Sequence, residues 1–163
     1  MKITLMIQRI QTVYLAITIV LLSFVMFGTT LFSFINETTR YTFSSYGITA
    51  YSIETNDVLS TTNFPFYIGA GTLILLSFLC IMSYKSLNRQ FKLGRMVFGI
   101  YFLMLVSVIV LTMVGDKLID AETTSREMGL GFFLFVCGFP FTFLANTGIK
   151  RDKKLLESLD RLR

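Results

Sequence analysis

The feature that most constrains this chain is where its charges are missing. No Asp, Glu, Lys or Arg occurs between Arg9 and Glu37, between Asp57 and Lys85, between Arg95 and Asp116, or between Glu127 and Lys150. A transmembrane helix needs about 20 predominantly apolar residues. Each gap holds one such crossing, and none holds two. Soluble domains carry roughly 25% charged residues, whereas this chain has 15% charged and 53% hydrophobic residues, with the charges swept to the ends of the apolar runs. The pattern predicts an all-α membrane protein, a bundle of four transmembrane helices near residues 10–35, 64–84, 96–114 and 128–146. Residues 1–148 then form one membrane domain, and residues 149–163 a separate basic tail.

Local signals refine this layout. The first apolar run is much longer than the 7–15 residues of a signal-peptide core, so it reads as a retained anchor helix. Between the first two spans, Arg40-Tyr41-Thr42-Phe43 and Ile48 to Glu54 have strand composition, with Gly47 placed to turn between them; a short β-hairpin fits this loop. Asn63 suits the N-cap of the second helix and Pro65 its first turn. Pro140 falls inside the fourth helix, and Gly148 suits a C-terminal cap.

Basic residues set the orientation. The N-terminus (Lys2, Arg9), the short loop at Lys85 to Arg95 and the tail hold twelve of the fifteen, while Arg40, Lys117 and Arg126 lie on the opposite side. The positive-inside rule places both termini in the cytoplasm of a bacterial inner membrane.

The composition also excludes chemistry. Histidine is absent, which removes the commonest metal ligand and general acid/base. No Asp, Glu, Lys, Arg or His lies in the interior of the four spans, where proton-coupled transporters place their ionisable groups. Thr18, Ser23, Ser77, Ser107, Thr112 and Thr142 read as interhelical glue or as hydroxyls bonded to backbone. Cys80 and Cys137 both sit in apolar segments and read as small buried hydrophobes. Asp116, Asp120 and Glu122, with Lys117 among them, read as a solvated face. We therefore expect no catalytic, metal or cofactor site and no nucleic-acid partner.

The tail is patterned. Leu155, Leu156, Leu159 and Leu162 recur at helical spacing, with Lys150, Arg151, Lys153, Lys154, Arg161 and Arg163 supplying charge and Glu157–Arg161 an i,i+4 pair. Such a basic amphipathic helix lies on the membrane surface or on a partner. With Arg9, the tail residues Lys150, Arg151, Lys153, Lys154, Leu155, Leu156, Leu159, Arg161 and Leu162 form the predicted docking set.

Two stretches carry a family resemblance. The start, Met6-Ile7-Gln8-Arg9-Ile10-Gln11-Thr12-Val13-Tyr14-Leu15, and the end, Ala145-Asn146-Thr147-Gly148-Ile149-Lys150-Arg151-Asp152-Lys153-Lys154-Leu155 closing on Asp160-Arg161-Leu162-Arg163, resemble small four-helix inner-membrane proteins of Bacteroidota catalogued as a domain of unknown function. The resemblance implies a compartment and a lineage and brings no activity with it. It also implies that Met6 is the usual start, with Met1 to Leu5 an extension.

The functional expectation is a non-enzymatic accessory or scaffold subunit of an inner-membrane complex, in contact with lipid and with integral-membrane partners or further copies of itself. The alternatives are a small uncoupled transporter or channel acting as an oligomer, and a lipid-modifying membrane enzyme.

Overall fold

In the computed structural model the backbone is described for residues 2–118 and 125–160, and side chains within those ranges except at 2–9, 116, 118, 156, 157, 159 and 160. The described residues form four helices, α1 (Lys2–Met26), α2 (Phe66–Met82), α3 (Leu87–Leu118) and α4 (Leu130–Asp160), and five strands, of which β1 (Phe32–Ile35), β2 (Thr39–Phe43), β3 (Gly47–Ser52) and β4 (Val58–Asn63) lie between α1 and α2, and β5 (Ser125–Met128) between α3 and α4. The helices close a ring in which α1 and α3 each lie beside α2 and α4. The strands make one antiparallel sheet in the order β4-β3-β2-β1-β5.

This sheet overturns the all-α expectation. The predicted first helix, residues 10–35, fails in its last third: α1 stops at Met26, Gly28 takes φ +87°, and Phe32–Ile35 becomes a strand. A left-handed glycine just past the last turn ends a helix without the steric cost another residue would carry. Thr29 and Thr30 then lead into an alternating Phe-Ser-Phe segment that suits a pleated strand. The Arg40–Phe43 and Ile48–Glu54 segments do pair, as β2 and β3, but as the middle of a sheet rather than an isolated hairpin. β5 comes from the loop before α4 and pairs with β1.

Helix bounds shift as well. Asn63 ends β4, and Pro65 occupies the cap position of α2 without a side-chain bond. The basic loop shrinks to a 3-10 turn at Ser83–Lys85 and Ser86, leaving Arg89, Lys92 and Arg95 on α3. Gly148 is not a helix end, because α4 continues unbroken to Asp160.

The sheet docks on one end of the bundle through aromatic packing. Phe32 stacks on Phe43 at 4.7 Å, Phe43 meets Phe66 at 6.5 Å, and Phe66 meets Phe135 at 5.4 Å. These residues share one core with Leu22, Leu73, Val97 and Tyr101. The Tyr101 hydroxyl donates to the Phe135 carbonyl at 2.8 Å, so a polar group buried at mid-bundle is satisfied.

Phe66–Lys85, Leu87–Gly115 and Leu130–Leu155 are each long and apolar enough to cross a membrane, and Ile10–Met26 is a shorter apolar helix. The bundle carries large apolar side chains outward, among them Leu75, Leu103 and Met113, while Gln11, Thr18, Gln90 and Thr142 are buried. That distribution is compatible with a membrane location.

Candidate docking face at the basic end

The end of the bundle opposite the sheet carries most of the basic residues. Its interior is a polar layer. Gln11 on α1 and Gln90 on α3 are each only 2% exposed. Gln11 Nε2 donates to Asp152 Oδ2 at 2.7 Å, joining α1 to α4 across 141 residues of sequence. The approach needs Gly148: a Cβ there would lie 2.8 Å from Gln11 Cγ. In the neighbouring seam, a Cβ on Gly94 of α3 would lie 3.3 Å from Asn146 Oδ1 and 3.2 Å from Ile149 Cδ1. The Cys80 thiol donates to the Gln90 carbonyl oxygen at 3.5 Å. Ile149 is fully buried among Leu15, Cys80 and Ala145.

Four oxygens of this layer, Gln11 Oε1, Gln90 Oε1, Asn146 Oδ1 and Asp152 Oδ1, are buried with no donor among the described residues. A buried acceptor without a partner costs about 1–3 kcal/mol. The layer is therefore an expensive place to keep three amides and a carboxylate, which marks it as the exceptional part of the core.

Outside the layer lies a cationic surface. On α4, Lys150, Arg151 and Lys154 are exposed, and with Thr147 and the half-exposed Leu155 they line a shallow open groove of about 340 Å³. Lys153 turns inward instead, its Nζ 5.0 Å over the Phe91 ring, which Arg95 also approaches at 4.8 Å. Cation–π contacts of this kind are worth about 0.5–1 kcal/mol at exposed sites and pin the α3–α4 surface. Lys85, Arg89 and Lys92 extend the exposed charge around the same end.

Of the predicted docking set, Lys150, Arg151, Lys154 and Leu155 come together in the groove, and Lys153 lies behind it on Phe91. Arg9 belongs to α1, and Leu156 and Leu159 to α4, but their side chains lie outside the described residues, as do Arg161 and Leu162 entirely. The Asp120 and Glu122 carboxylates and the Glu157–Arg161 pair also fall outside them, as does the side chain of Asp116. Gln11, Gln90, Asn146 and Asp152 were not among the predicted site residues. Gln11, Asn146 and Asp152 fall within the two end motifs, and their polarity beside apolar neighbours was the available signal.

Thr18, Ser107 and Thr142, the polar groups a transport path would need, do not line up. Thr18 and Thr142 are buried, bond the Tyr14 and Gly138 carbonyls of their own helices, and lie 3.5 Å apart. Ser107 is on the outer surface and bonds Leu103 O.

Fold and site together define a small helical-bundle protein capped by an antiparallel sheet, with apolar helices suited to a membrane and a cationic far end. The sequence pattern of the family described as a domain of unknown function, DUF4293, matches residues 7–162, and the chain belongs to that family. No curated protein matches the chain.

Proposed function

We propose that the protein is a non-enzymatic accessory or scaffold subunit of a bacterial inner-membrane complex, of the Bacteroidota lineage implied by its end motifs. Its four helices cross the bilayer with both termini in the cytoplasm and the sheet on the periplasmic side. The observation that carries the docking role is the continuity of α4. The basic segment is not a tether joined at Gly148; it is the rigid end of a core helix, held by buried Ile149 and by the Gln11–Asp152 bond. A lipid anchor depends on total charge and apolar area and gains nothing from such fixing. A partner groove depends on where each anchor sits, and a preorganised surface loses less entropy on binding.

The transporter reading is weaker, because Ser107 faces outward from the bundle while Thr18 and Thr142 are buried within it, and Tyr101, Phe135 and Leu22 are packed in the bundle core. The test is purification in mild detergent at native abundance, comparing the natural chain with Lys150→Gln/Arg151→Gln/Lys154→Gln. An integral-membrane partner held at near-equal amount by the natural chain and lost from the variant supports the proposal. A lone monomer in both contradicts it.

A further inference from the structure

The sheet end holds a feature that docking at the basic end does not use. The inner face of the sheet presents two parallel rows of side chains, Phe32-Phe43-Ile48-Thr62 and Phe34-Tyr41-Ala50-Ser60, running from β1 to β4. At the β1 end the phenylalanines are buried against the bundle, whereas at the β4 end Ser60 and Thr62 are exposed. Between this face and the outer end of α3 lies a cavity of about 230 Å³, floored by Leu111 and Gly115. Small residues leave the space: Ala50 and Ser60 share a row with Phe34 and Tyr41, and Gly115 gives the Phe34 ring room where a Cβ would lie 2.9 Å away.

We infer that this cavity is a binding site for one acyl chain of a bilayer phospholipid. The inference rests on the sheet lying at the outer membrane interface, as in the function proposed above. Three observations support it. The lining is aromatic and aliphatic apart from the hydroxyls of Tyr41, Ser60 and Thr62, and the last two lie on the exposed edge strand, at the mouth. The floor is the last turn of the apolar stretch Leu87–Gly115, so the cavity begins where the hydrocarbon layer ends. The neighbouring α3 side chains Val110, Met113 and Val114 are exposed and apolar, forming a continuous greasy path from the bilayer to that level. The size also fits. An apolar cavity of about 150 Å³ stays dry and accepts benzene, so about 230 Å³ accepts the end of a hydrocarbon chain but not a whole lipid. Filling it removes apolar wall from water or from vacancy, which is favourable in either case.

The test uses the full chain reconstituted in bilayers containing a phospholipid with a photoactivatable diazirine near the methyl end of one acyl chain. A parallel sample contains the free fatty acid bearing the same diazirine. After irradiation, adducts are mapped by mass spectrometry. The expected result is phospholipid adducts on Tyr41, Ile48 and Phe34 as well as on the outward-facing Leu103. Ala50→Leu fills the cavity, and Ser60→Leu blocks its mouth from an exposed strand without touching the core. Each lowers the cavity adducts at least about tenfold and leaves those on Leu103 unchanged. Leu103 labelled with the cavity residues bare overturns the inference while leaving the membrane placement intact. Leu103 also bare overturns both. Cavity labelling that survives both substitutions, or that comes from the free fatty acid alone, overturns the phospholipid assignment.

Discussion

The Gln11–Asp152 bond is the joint on which the rigid basic end depends, and a double-mutant cycle measures it. The donor–acceptor distance is 2.7 Å, Gln11 is 2% exposed, and the bond joins an amide to a carboxylate. Hydrogen bonds involving charged groups contribute about 1.5–3 kcal/mol, and an orphaned buried partner costs about 1–3 kcal/mol. Asp152→Leu leaves the Gln11 amide without its acceptor, and Gln11→Leu leaves the carboxylate without its donor, so each single change costs about 1–3 kcal/mol. The double change replaces both polar groups by apolar ones of similar size. It also removes the two lone oxygens, Gln11 Oε1 and Asp152 Oδ1. Its cost is therefore well below the sum of the singles, with a coupling of at least about 1.5 kcal/mol. The assay is unfolding in mixed micelles titrated with a denaturing detergent and followed by circular dichroism. Additivity within about 0.5 kcal/mol would refute the reasoning, because it would mean the two side chains do not share a buried bond.

Other expectations follow from neighbouring contacts. Gly148→Leu forces α4 off Gln11 and lowers stability by about 1–3 kcal/mol, read as a lower unfolding midpoint in the same assay, with Gly99→Ala as a control that does not lower it, because a Cβ there meets nothing within 4 Å among the described residues and Ala favours a helix interior over Gly. Tyr101→Phe removes the bond to Phe135 O and costs about 0.5–1.5 kcal/mol, measured the same way. Replacing Cys80 and Cys137 together by Ala lowers stability modestly through the buried Cys80 and leaves partner retention on purification unchanged; loss of the partner with normal folding would expose a site at the thiols. Reporter fusions after Arg89 and Arg163 report cytoplasm, and those near Thr55 and Thr123 periplasm; a periplasmic signal from the tail inverts the layout.

How far the chain could be read differs by element. Segments 64–84, 96–114 and 128–146 were legible because a run without charges long enough to cross a membrane has few other uses, and they correspond largely to α2, α3 and α4. The first run misled because mean hydropathy does not distinguish a period of 3.6 from a period of 2 when nearly every residue is apolar. Gly28 followed by two threonines was the local break, and its weight shows only once Phe32–Ile35 has strands on both sides. β4 and β5 carried no signal of their own: all six residues of β4 and all four of β5 are exposed, so neither shows the alternation a half-buried strand writes into its sequence. At the basic end, the exposed face of α4 was legible and its buried joint was not. Lys150, Arg151, Lys154 and Leu155 follow from helical spacing, whereas the Gln11–Asp152 contact spans 141 residues and no local pattern encodes it.

The central claim is that the basic end of α4 meets a protein partner in a fixed register. It is tested most directly by placing a photocrosslinking amino acid at Lys154 and at Leu155 in cells, one position at a time, with Leu103 on the bundle exterior as the comparison. The account predicts one discrete adduct with an integral-membrane protein from both α4 positions, lost when the order of residues 153–160 is shuffled at constant charge. Adducts with lipid alone, or a protein adduct that survives the shuffle, would contradict it.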